Sequence, residues 1–141
     1  MSEAHKPTFS GVIPHLAVKG GTEAIAFYVK ALGAELVQQM PTPDGRLMHA
    51  HLRLNGAPIF LHDDFDGAGG CRPPTEIGGA SVTVHVALKA PAEVDALFER
   101  ACAAGADVVM VPNDVFWGDR YARLRDPFGH VWSLGAPLSA G

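Results

Sequence analysis

Histidine is the residue type in this chain best suited to chemistry, because imidazole binds transition metals and exchanges a proton near neutral pH. The chain has seven histidines, and His85 stands in the segment 82–88, where valines alternate with small or polar residues. Alternate side chains of a strand point to opposite faces, so Thr83, His85 and Ala87 share one face and the valines share the other. We therefore expect the valine face to pack on a helix and the face of His85 to be available to a ligand.

Two further histidines belong to similar segments. His15 lies in the apolar segment 11–18, and His62 lies two residues beyond Phe60 in the segment 57–62. If the second segment is a strand that continues far enough, His62 and Phe60 share a face.

The remaining histidines carry weaker indications. His49 and His51 alternate on one predicted strand, so they share a face, either as exposed or subunit-facing side chains or as a pair of ligands. His130 follows the Asp-Pro-Phe-Gly turn at 126–129, and we expect it to hydrogen-bond to that turn.

A short segment between two predicted strands combines aromatic side chains with a cation. Trp117 and Tyr121 would offer flat apolar area to a ligand, or would pack in the core or a subunit contact. Arg120 would pair with an anionic substrate, although Asp119 and Asp126 are equally suited to hold it in a structural ion pair. The sequence leaves both alternatives open.

Composition indicates one globular domain spanning residues 1–141, and it excludes several classes. Hydrophobic residues make up 48% and charged residues 18%, which is too apolar for a disordered chain. The net charge is −4 and no basic run is longer than two residues, whereas nucleic-acid binding needs clustered cations. No apolar stretch approaches the roughly 20 residues that span a bilayer. We expect neither nucleic acid nor membrane as a partner.

Cysteine use and the N-terminal segment favour the cytoplasm. Cys71 stands in a Gly/Pro-rich loop and Cys102 in an Ala-rich helix, which disfavours a disulfide between them. Residues 1–10 are polar and lack the apolar segment of an export signal. We expect a reduced, cytoplasmic protein.

The two halves of the chain repeat one another. The segment 12–18, a helical stretch and Leu-Gly-Ala at 32–34 recur as 82–88, a second helical stretch and Ala-Gly-Ala at 104–106. A repeat of about 70 residues is too long for a solenoid unit. It indicates two pseudo-symmetric modules.

The first module, about residues 11–62, is predicted to fold as βαβββ. Helical periodicity spans 22–32, and Gly33 is placed to end that helix with a positive φ. Asn55-Gly56 is a strong hairpin signal. The predicted strands are 11–18, 34–40, 46–54 and 57–62.

The second module, about residues 80–136, repeats the order after a Gly/Pro-rich linker at 63–79. Pro91 opens its helix and Gly105 ends it. The predicted strands are 80–88, 106–111, 119–125 and 130–135. The fold class expected is α+β, with the two pseudo-symmetric βαβββ modules forming a cupped mixed sheet.

This layout resembles the vicinal oxygen chelate superfamily, which includes glyoxalases, bleomycin resistance proteins and extradiol dioxygenases. The resemblance covers residues 11–136 and is nearest to the glyoxalase-like, bleomycin-resistance-like branch. Three stretches carry it, Ala-Ile-Ala-Phe-Tyr at 24–28 with Leu-Gly-Ala at 32–34, Phe-Trp-Gly-Asp-Arg-Tyr at 116–121, and Arg-Asp-Pro-Phe-Gly-His at 125–130.

The resemblance implies four metal-ligand positions, one on the first and one on the last strand of each module. In the second module these fall on His85 and Ser133. In the first, anchoring on Phe-Tyr at 27–28 gives Ile13 and Phe60, whereas aligning the halves directly equates His15 with His85. A divalent site usually needs four protein ligands, or three plus water, so the standard metal site is not expected.

A rearranged site made of His15, His62 and His85 remains as the metal hypothesis. Three imidazoles with water would suit Zn, Ni, Fe or Mn. The alternative is that each histidine makes a hydrogen bond in a polar cleft, and no cofactor is certain.

Two functions follow from the resemblance. The first is a protein that binds or sequesters a small molecule, with Phe60, Trp117, Tyr121, Ser133 and Arg120 as contacts; the acidic net charge would suit a cationic or neutral guest. The alternative is a metal-dependent lyase, isomerase or dioxygenase acting on a small oxygen-chelating substrate, so enzyme activity stays open. The resemblance also implies a homodimer in which the modules complete each other's cups.

Overall fold

A computed structural model describes residues 8–139, so residues 1–7 of the polar N-terminal segment lie outside the described part of the chain. The order of elements is βαβββ twice, with one short helix between the halves, as the sequence predicts apart from that helix. In chain order the elements are β1 (His15–Val18), α1 (Gly21–Leu32), β2 (Glu35–Pro41), β3 (Leu47–Leu54), β4 (Ala57–Asp63), α2 (Pro74–Ile77), β5 (Thr83–Ala87), α3 (Pro91–Ala103), β6 (Asp107–Asp114), β7 (Asp119–Arg125) and β8 (Val131–Pro137).

The strands form two four-stranded mixed sheets, one per module, in the orders β1-β4-β3-β2 and β5-β8-β7-β6. In each sheet the first and last strands of the module pair in parallel and the other pairs are antiparallel. The α+β class and the duplicated βαβββ layout are therefore confirmed.

On the edge strands β1 and β5, backbone carbonyls accept hydrogen bonds from side chains instead of from a neighbouring strand. His130 Nε2 hydrogen-bonds to the carbonyl of Ala17 at 2.8 Å, and Asn55 Nδ2 donates to the carbonyl of Ala87 at 2.8 Å. His130 bonds to its own turn through its backbone N–H, which donates to Asp126 Oδ1 at 3.0 Å, whereas its ring reaches across to the first module.

The start of the first strand and the content of the predicted linker differ from the predictions, because local turns replace strand pairing there. The first strand begins at His15, since Val12 is 98% exposed and unpaired. The predicted linker contains α2, which begins with a proline in its first turn and ends at Gly78 with φ 84°. A single helical turn has too few residues to show a periodicity in the sequence.

Asp63, at the end of β4, fixes the start of α1. Its Oδ1 accepts hydrogen bonds from the backbone N–H groups of Gly20 at 3.0 Å and Gly21 at 2.9 Å, and its Oδ2 accepts one from Leu47 at 2.7 Å. Helix N-termini leave such donors unpaired, and a carboxylate there is stabilised by the helix dipole. A Cβ on residue 21 would lie 2.6 Å from Oδ2, so this close approach requires glycine.

Asp126 joins the two modules through a fully paired, buried carboxylate that is 2% exposed. Its Oδ2 accepts hydrogen bonds from the hydroxyl of Tyr28 on α1 and, at 2.8 Å, from Trp132 Nε1 on β8. Its Oδ1 accepts from the backbone N–H groups of Phe128 at 2.8 Å and His130 at 3.0 Å. Burial, and then the negative charge of Asp126, raise the pKa of Tyr28 well above its usual value, so the phenol stays protonated as a donor.

We expect Tyr28→Phe to lower the free energy of unfolding by about 1.5–3 kcal/mol, because it removes a hydrogen bond to a buried charged group. Urea denaturation measures this. Tyr121→Phe is the matched control, since among residues 8–139 its hydroxyl has no hydrogen-bond partner, and we expect a change within about 0.5 kcal/mol. Equal stability of Tyr28→Phe and wild type would contradict the role given to this contact.

Candidate functional site

Each sheet packs one face on the helices and leaves the other face without a helix over it. We call these helix-free faces the first and second open faces. The first open face carries His15, His49, His51, Phe60 and His62. The second carries Thr83, His85, Tyr121, Arg123 and Ser133.

Strand register settles which residue of the first strand corresponds to His85. His85 pairs with Ser133 across β5 and β8, and His15 pairs with Phe60 across β1 and β4. With Phe60 taken as the counterpart of Ser133, as the resemblance implies, His15 is the counterpart of His85, and Ile13 lies before β1 begins. This agrees with direct alignment of the halves, whereas the anchor at residues 27–28 gives Ile13.

The first open face is a cluster of rings in edge-to-face contact. The centroid of His15 lies 4.9 Å from that of His62, 5.7 Å from His49 and 5.6 Å from Phe60. The rings of His49 and Phe60 are 4.8 Å apart. His15 is exposed and the other three side chains are half-buried, so a continuous surface of imidazole and phenyl rings faces outward.

Phe9 covers one end of this cluster, and nothing in the sequence pattern indicates it. Its ring lies 4.8 Å from that of His51 and 5.1 Å from that of Phe60. His51 is thereby only 3% exposed, and its Nδ1 is buried with no hydrogen-bond partner among the described residues.

Burial and mutual repulsion keep these imidazoles neutral. Burial, and then the neighbouring His62 and His49, lower the pKa of His15 below its ordinary value. Burial, and then His62, lower the pKa of His49. Burial, followed by Arg53 and His49, lowers the pKa of His51. Near neutral pH His15, His49 and His51 are therefore neutral, each with one donor and one acceptor nitrogen, whereas Nδ1 of His62 hydrogen-bonds to the carbonyl of Asp63 at 2.8 Å.

The second open face is polar at its centre. His85 Nδ1 hydrogen-bonds to Ser133 Oγ at 2.7 Å, so the buried hydroxyl of Ser133 is already engaged. The ring of His85 lies nearly parallel to that of Tyr121, with centroids 6.2 Å apart. Trp117 is half exposed and meets Tyr121 edge-on at 5.3 Å. The structure thus brings four of the predicted site residues together on one surface.

Arg123 also belongs to this face, and the sequence analysis missed it. It pairs with Ser133 across β7 and β8, as His51 pairs with Phe60 across β3 and β4, so Arg123 and His51 occupy equivalent positions. Its Nη2 donates to Thr83 Oγ1, while its Nε is buried without a partner among the described residues. Alternation with Tyr121 along β7 is the signal that would have found it.

Arg120 lies on the opposite face of β7, which corrects its prediction as a ligand contact. Its Nε lies 3.1 Å from Asp95 on α3 and its Nη1 lies 3.1 Å from Asp114 on β6. The structural ion pair expected as the alternative is therefore present, but with different partners. Asp119 instead accepts a hydrogen bond from Trp117 Nε1 at 3.1 Å, and Asp126 is occupied as described above.

The three histidines of the metal hypothesis do not converge in a single chain. His15 and His62 contact one another, whereas His85 contacts Ser133 and Tyr121 on the other sheet. Within residues 8–139 there is no group of three His, Cys, Asp or Glu side chains placed to hold a metal ion. These residues therefore do not fit a resident metal within one chain, and metal binding by His15, His62 and His85 stays a prediction.

Two further observations on the described residues concern membrane spanning and the cysteines. None of its helices combines the length and the apolar character needed to cross a membrane. Cys71 is exposed, Cys102 is half-buried, and both are free thiols.

The duplicated βαβββ fold is characteristic of one superfamily, which comparison with known proteins names. The model of the Glyoxalase/Bleomycin resistance protein/Dioxygenase superfamily matches residues 12–134, so the chain belongs to that superfamily.

The chain is also similar to individual proteins and solved structures. The protein Mb0911c of Mycobacterium bovis is 48% identical over 127 residues, which cover 89% of this chain and 82% of that protein. The solved structure of TioX from Micromonospora sp. ML1 is similar with a TM-score of 0.71 at 27% identity, over 92% of this chain and 100% of that one. The structure of PA1353 from Pseudomonas aeruginosa, at 23% identity, shares the fold with a TM-score of 0.74 over 93% and 100% of the two chains.

The lowered histidine pKa values predict a loss of stability on mild acidification. A group whose pKa is lower in the folded state takes up protons preferentially in the unfolded state, so stability is full above the ordinary value of about 6.5 and falls as the pH drops through the lowered one. We expect the free energy of unfolding in urea to be smaller at about pH 5.5 than at about pH 7.5.

The double variant His15→Gln/His49→Gln separates this effect from that of other groups. It removes two of the titrating rings while keeping polar side chains of similar length, and we expect a shallower pH dependence than in wild type. An unchanged slope would show that carboxylates or other groups govern the loss.

Proposed function

We propose that this protein binds and sequesters a small ring-containing molecule on its open faces. The observation that carries the proposal is the ring cluster of the first open face, where His15, His49, Phe60 and His62 form one outward-facing surface. Such a surface buries a planar guest against the edges and faces of its rings. Neutral imidazoles add hydrogen bonds, as donors through one nitrogen and as acceptors through the other.

The residues at the superfamily's last-strand ligand positions favour binding over metal-dependent turnover. Phe60 has no ligand atom, and the hydroxyl of Ser133 is held by His85. None of the ten residues named above on the open faces is a carboxylate, and Asp119, which alternation with Tyr121 adds to the second face, has its Oδ2 engaged by Trp117 Nε1 at 3.1 Å. The metal-dependent lyase, isomerase or dioxygenase stays the second candidate because the resemblance implies a first-strand ligand position at His85, and direct alignment of the halves implies one at His15.

We also propose that the protein is a homodimer, in the cytoplasm, where the two free thiols would remain reduced. The edge strands β2 and β6 support self-association. All seven residues of β2 are exposed, as are the first five of β6. The apolar side chains left exposed on these strands are Leu36, Val37, Met40, Val108, Val109, Met110 and Val111. An apolar edge strand exposed on both faces favours cover by another chain.

Light scattering after size exclusion tests the homodimer. We expect about twice the chain mass of 14.9 kDa. Val111→Glu, which places a charge on β6, should shift the mass toward the monomer, whereas Ile77→Glu on α2 should not. A wild-type mass of one chain would contradict the proposal.

Ligand binding is tested by thermal shift and by NMR titration, beginning with bleomycin and with quinoline, a neutral planar probe. We expect saturable binding of at least one of them, with shifts of the ring signals of His15 and His62. Phe60→Ala should weaken that binding about tenfold, since it removes the central ring of the cluster. Phe116→Ala is the control, because Phe116 is 96% exposed and lies outside both open faces.

Two results would overturn this proposal. One is the absence of saturable binding of either probe at the ring signals. The other is tight one-to-one binding of Ni, Zn, Mn or Fe(II) by the chelator-treated protein, lost in His85→Ala. The second result would establish the metal-dependent alternative instead.

A further inference from the structure

Arg123 is a guanidinium without a carboxylate partner. Ion pairs hold Arg46, Arg53, Arg72 and Arg120, but within residues 8–139 no acidic side chain lies within 4.0 Å of the charged nitrogens of Arg123. Its Nη2 is used by Thr83, and its Nε is buried and unpaired. A buried N–H without an acceptor is rare in native structures and calls for a partner that the chain itself does not supply.

The neighbours of Arg123 are arranged to receive such a partner. The bond from His85 Nδ1 to Ser133 fixes the imidazole and leaves Nε2 for another group. Gly135 makes room for this ring, because a Cβ there would lie 2.8 Å from Cε1 and 3.2 Å from Nε2 of His85. Tyr121 adds a ring parallel to that of His85, and Trp117 adds a half-exposed one.

We propose that the second open face binds a carboxylate carried on a small planar ring, with the carboxylate at Arg123 and the ring against Tyr121. Guanidinium is the side chain best matched to carboxylate, through charge-assisted and often paired hydrogen bonds. His85 Nε2 supplies a second polar contact. This inference rests on the proposed function and deepens it by naming the ligand class of one face.

Local charge, rather than net charge, decides the sign of this ligand. The chain carries a net charge of −4, which by itself suits a neutral or cationic guest. The second open face, however, presents Arg123 at its centre; alternation along β7 also places on this face Asp119, about 13 Å along the strand from Arg123, and Arg125, which lies opposite Asp107. Charges separated by more than about 10 Å are largely screened in physiological salt, so the nearest groups dominate.

Benzoate is the probe, and benzamide is its neutral counterpart of the same shape. In the wild-type protein, we expect benzoate to bind saturably and to shift the Nε–H signal of Arg123 in a ¹H–¹⁵N NMR titration. Benzamide should bind at least about tenfold more weakly. Arg123→Gln should weaken benzoate binding by at least about tenfold. Arg123→Lys keeps the charge but loses the planar guanidinium, so its benzoate affinity should lie between those of wild type and Arg123→Gln.

Arg125→Gln is the matched control. It makes the same change of charge two residues along β7, on an exposed side chain that pairs in register with Asp107, and benzoate affinity should stay within about twofold. Equal affinity for benzoate and benzamide, or for wild type and Arg123→Gln, would overturn the inference. So would benzoate binding that leaves the Nε–H signal of Arg123 unmoved.

The two proposals fail separately. Quinoline or bleomycin binding at the first open face without benzoate binding at Arg123 would overturn the carboxylate site and leave the binding function standing. Benzoate binding at Arg123 without either compound at His15 and His62 would support the carboxylate site and overturn the role of the ring cluster. Binding of none of them would overturn both.

Discussion

The buried carboxylate of Asp126 is the constraint on which the arrangement of the two modules depends. An ionised carboxylate shielded from water is costly unless its oxygens are fully paired. Two of its donors come from its own turn and one from β8, but the fourth is the hydroxyl of Tyr28 on α1 of the other module. The carboxylate is therefore fully paired only when α1 packs against β8, which fixes the helices between the sheets and leaves both open faces outward.

Duplication then gives two faces that share a backbone and differ in chemistry. On the helix side, equivalent positions stay apolar because the core requires it; Leu16 and Leu61 pair in the first sheet as Val86 and Leu134 do in the second. On the open side no such packing requirement acts. Phe60 there corresponds to Ser133, so the equivalent position is apolar in one module and polar in the other.

The consequence is a division of character between the two faces. Neutral imidazoles and a phenyl ring line the first, whereas an unpaired guanidinium and a fixed imidazole line the second. His51 and Arg123 hold equivalent positions and both keep a buried nitrogen without a partner.

Local chemistry in the sequence determined the elements and their order, since each signal acts within a few residues. Asn55-Gly56 turns a hairpin, Gly33 ends α1 with φ 72°, and valine alternation sets the inward face of β5. Only the tertiary structure determines which side chains pair with one another. By strand register, His15 corresponds to His85. Arg120 packs beside Asp95, whereas Arg123 has no acidic partner among the described residues. Tyr28 hydrogen-bonds to Asp126, which lies 98 positions further along the chain. Such pairings depend on how distant segments meet in space, and no local pattern of residues encodes that.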